Sequence, residues 1–162
     1  MPSDLDKNEA GLTGFLDFIR EDWGQPLGAA CLKLVSLQYT EEIEQFLQLV
    51  ESSGAKTAIE VGAGFCGTSV LLSKTMGPGS LLISVDLPIW LNGTPEVFEK
   101  EARESLPPEH EFKLIRGDSA ADSTVSAVRK ALDGRLADLL FVDADHKTEA
   151  ARADYDAYVP LL

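Results

Sequence analysis

The stretch TAIEVGAGFCGTSVLL, residues 57–72, decides the fold of this chain. An apolar run leads into a loop in which Gly62, Gly64 and Gly67 have the spacing G-x-G-x-x-G, and a second apolar run follows. This order predicts a buried strand, a tight glycine turn and a helix, an arrangement typical of nucleotide-binding α/β folds. The glycine spacing is shared by several cofactor classes, so by itself it does not choose between them.

The rest of the chain continues the alternation of strands and helices. A helix is predicted from an N-cap at Thr40 to Gly54, and strands are predicted at 57–61, 81–86, 112–115 and 137–142, each followed by a helical pattern. Strands that alternate with helices imply a parallel sheet covered on both faces. The predicted fold class is therefore α/β, a Rossmann-like parallel sheet of four strands preceded by N-terminal helices.

The first part of the chain has a different pattern. Apolar residues at helical spacing, Leu12, Phe15, Leu16 and Ile19, follow a polar start. We therefore expect residues 1–39 to form an N-terminal helical segment, of which residues 1–11 are disordered. Residues 40–162 are expected to form the Rossmann-like domain.

Composition narrows the possible functions. The 162 residues include 27 acidic and 14 basic side chains, giving a net charge of −13, which disfavours nonspecific binding to nucleic acid. The start of the chain is too polar for a signal peptide, and no apolar run approaches the ~18 residues of a membrane span. With only two cysteines, we expect a cytoplasmic protein with no membrane or nucleic-acid partner.

Every predicted strand ends in polar residues. The carboxyl ends of parallel strands meet at one edge of the sheet, where ligands of open α/β sheets bind. One acid after a strand is usually a turn former or a helix cap. Acids after all four strands favour a site at this edge. The candidate residues are Glu60, Asp86, Asp118, Ser119, Asp143, Asp145 and His146.

The first two strand ends favour a particular kind of ligand. Glu60, two residues before the first glycine, would repel a pyrophosphate and attract an ammonium group. Asp86 lies 22 residues after Gly64, where its carboxylate can accept hydrogen bonds from both hydroxyls of a ribose. The helix that begins near Gly67 presents free N–H groups to an anion, such as a carboxylate or a phosphate.

The other two strand ends leave alternatives open. Asp118 would either contact an adenine amino group or cap the following helix. The group Asp143, Asp145 and His146 suits metal binding or proton transfer, and it also suits a simple polar turn. Two further residues are given structural roles: His110 is expected at the surface, and Cys66 is expected to be a small loop residue.

Four stretches of the sequence resemble class I S-adenosylmethionine-dependent methyltransferases over residues 40–162: IEVGAGFCGTSVLL, ISVD, IRGDSAAD and LLFVDADHKTEAARADYDAYVPLL. The last stretch is similar to the small O-methyltransferase-like group that includes macrolide-sugar O-methyltransferases and cephalosporin hydroxylase-like proteins. In that group the fourth strand ends in Asp-x-x-His, and a helix with an acid and an aromatic residue leads to Pro-Leu-Leu.

The resemblance implies a role for each matching residue. Asp143 would lie beside the transferred methyl group and, as in metal-dependent relatives, could bind Mg²⁺. His146 would be the base that takes the proton of a hydroxyl on a small-molecule acceptor. The implied cofactor-binding residues are Glu60, Gly62, Ala63, Gly64, Gly67, Ser69, Asp86, Asp118 and Ser119.

The sequence departs from this family at its end. The family continues into a fifth strand, which contributes further acids, whereas this chain stops at Leu162. The resemblance therefore implies an incomplete methyltransferase domain, with the fourth strand as an apolar edge that favours association between copies. Two alternatives stay open: an NAD-dependent oxidoreductase, which could use the same glycines and Asp86, and a truncated, non-catalytic cofactor-binding remnant.

Overall fold

The structure is a computed structural model that describes residues 38–88, 95–106 and 108–162. The helix predicted around residues 12–19 lies outside the described residues, as does most of the predicted N-terminal segment. The helices and strands are α1 (Thr40–Ser53), β1 (Thr57–Val61), α2 (Gly67–Met76), β2 (Leu81–Asp86), α3 (Pro95–Ser105), β3 (Glu111–Arg116), α4 (Asp122–Leu132), β4 (Leu139–Val142), α5 (Thr148–Tyr158) and a 3₁₀ turn (Val159–Leu161).

The four strands form one parallel sheet in the order β3-β2-β1-β4. Glu60 of β1 pairs with Ser84 of β2 on one side and with Phe141 of β4 on the other. All five residues of β1 are buried, whereas the four residues of β4 are only partly buried. Within the described residues β4 is thus an edge strand. The parallel sheet of four strands confirms the predicted Rossmann-like fold class.

Helices cover both faces of the sheet, as the alternating pattern predicts. Ala58 and Leu82 pack in a core that includes apolar residues of α1 and α2, such as Leu47. Ile59 and Ile83 point to the opposite face and pack in a core that includes α4 and α5. Successive strand residues point to opposite faces, so Glu60 lies on the same face as Ala58, towards α2.

Two helix ends differ slightly from their predicted positions. The N-cap of α1 is Tyr39 rather than Thr40, because the Tyr39 carbonyl accepts the N–H groups of Glu42 and Ile43 at 3.1 and 2.9 Å. Its C-terminal end is as predicted, with Gly54 in the left-handed conformation at φ 69°. None of the helices in the described part of the chain has the length and hydropathy that a membrane crossing requires.

Candidate functional site

A cleft of about 850 Å³ opens at the carboxyl ends of the strands. Every loop that follows a strand contributes to it: residues 62–65, 86–87, 117–120 and 143–146. Parts of α1 and α5 complete the lining. The parallel topology brings these loops together, because all four strands end at the same edge.

The glycine loop is packed directly against the loop that follows β4. Gly62 has φ +101°, and a Cβ atom at this position would lie 2.3 Å from the carbonyl oxygen of Asp143. The Gly62 N–H donates to the carbonyl of Val85 at 2.8 Å. Gly62 therefore meets both requirements that glycine alone satisfies: a left-handed φ and close approach to another backbone.

Asp86, at the end of β2, holds the glycine loop from the other side. One carboxylate oxygen accepts the Gly64 N–H at 2.6 Å, and the other accepts the Leu87 N–H at 2.7 Å. The Asp86 side chain is half-buried and lines the cleft. The structure thus places the carboxylate predicted to bind ribose next to the loop predicted to bind the rest of the cofactor.

Glu60 lies beneath the cleft rather than in its lining. Its side chain is 0% exposed, and one carboxylate oxygen accepts the hydroxyls of Ser69 and Ser84, each at 2.5 Å. Burial raises the pKa of Glu60 from 4.5 to about 7; the two serine hydroxyls oppose this shift, and the nearby charges of Asp143 and Asp86 add to it.

Three predicted cofactor-binding residues are therefore not at the cleft surface. Glu60, Gly67 and Ser69 are buried and do not line the cleft, whereas Gly62, Ala63 and the other predicted residues do. The second carboxylate oxygen of Glu60 has no hydrogen-bond partner among the described residues. Direct contact of Glu60 with a cofactor stays a prediction.

Asp118 is exposed at the cleft and forms a local turn. Its carboxylate accepts the Ala120 N–H at 3.1 Å. The N-cap of α4 is Ala121, and no side chain caps this helix. The helix-cap alternative for Asp118 is therefore wrong. The neighbouring Ser119 carbonyl accepts the hydroxyl of Tyr158 at 2.9 Å, which connects this loop to α5.

The loop after β4 carries the remaining predicted residues. The Asp143 N–H donates to the Val61 carbonyl at 2.8 Å, and its half-buried carboxylate accepts a hydrogen bond from the side chain of Gln38. Asp145 accepts the Lys147 N–H at 3.0 Å in a turn. His146 is exposed and lines the cleft.

The described residues do not form a metal site. No group of three or more histidine, cysteine, aspartate or glutamate side chains is arranged to hold an ion in the described ranges. Mg²⁺ requires a near-octahedral set of oxygen ligands, of which Asp143 supplies at most a small part. The residues described therefore do not fit a bound Mg²⁺.

Sequence reasoning missed Asp154, which lies in α5 and lines the cleft although it is only 2% exposed. The spacing of Asp154 and Tyr158, four residues apart, could have indicated that both lie on the same face of this helix. His110 was expected at the surface. It is half-buried instead, with Nδ1 at 3.2 and 3.4 Å from the hydroxyls of Ser73 and Ser80.

Cys66 is a structural residue of the loop. It is fully buried in a left-handed conformation before α2, at φ 60°. Burial raises the pKa of its thiol to about 12, with the nearby Glu60 charge adding to the shift. A thiol that stays protonated is a poor nucleophile, so Cys66 takes no part in the chemistry considered below.

No protein-family model matches the sequence, and no curated protein matches it either. Solved structures do match. TomG, an O-methyltransferase from Streptomyces achromogenes in complex with SAM, is 16% identical with a TM-score of 0.64, over 99% of this chain and 70% of TomG. CalS11, a TDP-rhamnose 3'-O-methyltransferase of calicheamicin biosynthesis, is 15% identical with a TM-score of 0.63, over 100% of this chain and 74% of CalS11.

A third match is an O-methyltransferase from Bacillus cereus in complex with SAH. It is 15% identical with a TM-score of 0.60, over 94% of this chain and 69% of that protein. At such low identity these likenesses concern the fold. The chain has the α/β fold of the class I methyltransferases, as its sequence resemblance implied, and it spans about 69–74% of the length of these three structures.

Proposed function

We propose that the chain is an S-adenosylmethionine-dependent methyltransferase that transfers a methyl group to a hydroxyl oxygen of a small molecule. One observation carries the proposal: the glycine loop is fixed between Asp86 and the Asp143 backbone at the floor of a cleft of about 850 Å³. The similar structures support it, since TomG was crystallised with SAM and the Bacillus cereus enzyme with SAH.

The charge of the cleft suits this cofactor. Six carboxylates line it, and carboxylates attract a sulfonium cation and an ammonium group. Asp86 would accept the ribose hydroxyls, and the backbone of the glycine loop would approach the amino-acid part of the cofactor. The six are Glu42, Asp86, Asp118, Asp143, Asp145 and Asp154.

When bound, the cofactor supplies a methyl group that its sulfonium sulfur already activates. The residues of the chain then have to align the acceptor oxygen and remove its proton. His146 is the proposed base, because it lies exposed at the cleft, next to the turn that begins at Asp143. We assign no step to Mg²⁺, because the described residues hold no three-ligand group.

Three further parts of the proposal concern partners and location. The acceptor is a small molecule rather than a nucleic acid, given the net charge of −13. The partly exposed strand β4 would pair with β4 of a second copy. A cytoplasmic location is consistent with Cys66, which is a free cysteine.

Titration calorimetry with S-adenosylhomocysteine and with NADH tests the proposed cofactor. We expect S-adenosylhomocysteine to bind and NADH not to bind. Asp86→Ala should weaken S-adenosylhomocysteine binding by about 2–4 kcal/mol, because two charge-assisted hydrogen bonds are lost. Asp122→Ala, which removes an exposed acid of α4 outside the cleft, is the matched control and should bind normally.

Each alternative predicts a different result. Micromolar binding of NADH without binding of S-adenosylhomocysteine would support the oxidoreductase and reject our proposal. Binding of S-adenosylhomocysteine without methyl transfer to any hydroxylated compound of a broad panel would favour the non-catalytic remnant. Unchanged affinity in Asp86→Ala would remove Asp86 from the ribose site.

A further inference from the structure

Asp154 is a buried acid that has no hydrogen-bond partner in the described part of the chain. Among the described residues, Glu60 and Asp154 are the two buried acids. Glu60 accepts two serine hydroxyls, whereas Asp154 receives no hydrogen bond from any described residue. A buried carboxylate without a hydrogen bond is costly. Because Asp154 also lines the cleft, a ligand in the cleft can supply the missing donor.

The surroundings of Asp154 locate this acceptor within the cleft. Tyr158, one helical turn further along α5, donates its hydroxyl to the Ser119 carbonyl at 2.9 Å. Burial raises the pKa of Tyr158 to about 12, and the charges of Asp154 and Asp118 add to this shift. Asp154 precedes Tyr158 by four residues, so it lies on the face of α5 that is turned towards the loop after β3.

This part of the cleft has room for a flat ring. Ala150 precedes Asp154 by one helical turn, so the two share a helix face. Ala153 of the same helix and Ala120 of the loop after β3 also lie at this end of the cleft. All three alanines line the cleft. Their small side chains leave space between the loop and α5, and of the three α5 residues that line the cleft, Asp154 is the one with a polar side chain.

We propose that Asp154 accepts the exocyclic amino group of the adenine of the cofactor and thereby selects adenine over purines that lack this donor. The inference rests on the proposed function. A carboxylate offers acceptor oxygens only, and the amino group is the hydrogen-bond donor on that edge of adenine. Hypoxanthine presents a carbonyl oxygen at the same position, which the carboxylate repels. Asp154 is thus a specificity-determining residue.

Asp118 is the competing candidate for this contact, and it is less well suited. It is exposed to solvent, and its carboxylate already accepts the Ala120 N–H at 3.1 Å. Asp154 is 2% exposed and accepts no hydrogen bond from a described residue. A hydrogen bond in a buried site contributes more to discrimination than one exposed to water.

The test compares S-adenosylhomocysteine with S-inosylhomocysteine by calorimetry on the full chain. Wild type should prefer the adenosyl compound by about tenfold or more, as expected for a hydrogen bond to a buried charged group. In Asp154→Asn the ratio of the two affinities should fall close to one, because an amide can also donate to the hypoxanthine carbonyl. Asp156→Asn, which removes an exposed carboxylate on the same helix, should keep the wild-type preference.

Thermal denaturation checks the fold of the variant. Asp154→Asn removes a buried charge without a partner, so its melting temperature should not fall. Two results would overturn the inference and leave the proposed function intact. One is a wild type that binds both compounds equally. The other is an Asp154→Asn variant that still prefers S-adenosylhomocysteine as strongly as wild type does. Loss of this preference in Asp118→Asn would then assign the adenine contact to Asp118. Failure of wild type to bind S-adenosylhomocysteine would reject the proposed function and this inference with it.

Discussion

The two edges of the sheet use polar residues in different ways. At the amino edge, the Asp138 carboxylate accepts the N–H groups of Lys56 and Thr57, each at 2.9 Å. The Lys56 ammonium donates to the carbonyl of Met76 at 2.7 Å. At the carboxyl edge, by contrast, His146 is exposed at the cleft, and Asp154 is buried there without a hydrogen bond from any described residue.

Polar residues at the amino edge thus stabilise the fold, whereas those at the carboxyl edge are placed to bind a ligand. Polar groups that bond within the chain lower the energy of the folded state. Carboxylates gathered around an open cleft repel one another and do not stabilise the fold. The arrangement of the carboxyl edge is therefore best explained by ligand binding. Variants at the carboxyl edge should change ligand binding, whereas variants at the amino edge should change stability alone.

The largest effect is expected at the carboxyl edge, for Gly62→Ala. The new Cβ would lie 2.3 Å from the Asp143 carbonyl oxygen, and the residue would keep φ +101°. Backbone strain costs about 1–3 kcal/mol and overpacking a similar amount, so the free energy of unfolding should fall by roughly 4 kcal/mol. Urea unfolding measures this loss, and binding of S-adenosylhomocysteine should be lost as well.

Gly79→Ala is the matched control at the other edge. Gly79 also has a positive φ, +75°, but no atom lies within 4 Å of the position of its Cβ. Only the conformational strain remains, so the loss of stability should be about 1 kcal/mol and binding should be unchanged. Equal losses in the two variants would show that close packing on Asp143 is not what requires glycine at position 62.

The fold was predictable because its signals are local and repeated. The continuous apolar runs of β1 and β2 and the glycines at their ends predict a parallel sheet without any knowledge of distant contacts. The position of α1 was predicted to within one residue, since its apolar stripe and Gly54 delimit it. The residues before position 38 lie outside the described ranges, so the predicted N-terminal helix and the domain boundary at residues 39 and 40 stay predictions.

The site was predictable in its location and less so in its details. Strand ends place Asp86, Asp118 and Asp143 at one edge, and the structure brings them together around the cleft. A sequence does not show how deep a strand side chain lies, so Glu60 was expected to contact the cofactor, whereas it lies buried beneath the cleft. Asp154 was missed because its role depends on how α5 packs against the loop after β3, which is a tertiary contact.

Glu60 gives the second largest expected effect, as a dependence of stability on pH. Folding raises its pKa from 4.5 to about 7, so the folded protein holds this proton more tightly than the unfolded chain does. The stabilisation is fully present below pH 4.5 and is lost as the pH rises through about 7. Glu60→Gln cannot ionise, so at pH 8 it should be more stable than wild type by up to about 3 kcal/mol.

Urea unfolding of wild type and Glu60→Gln between pH 4 and pH 8 measures this difference. Glu51→Gln, a change at an exposed glutamate of α1, controls for the loss of one negative charge and should follow wild type at every pH. Parallel stability curves for Glu60→Gln and wild type would mean that Glu60 keeps an ordinary pKa. The serine hydroxyls would then compensate for its burial.

The smallest effect is expected at the amino edge, for Asp138→Ala. Removal of this carboxylate leaves the N–H groups of Lys56 and Thr57 without their acceptor. Asp138 is exposed, so water can replace part of the interaction, and the free energy of unfolding should fall by only about 1 kcal/mol. Asp138→Asn keeps an acceptor oxygen and should lose less. Affinity for S-adenosylhomocysteine should be unchanged in both variants, because a structural edge affects stability alone; a loss of affinity without a loss of stability would contradict the division between the two edges.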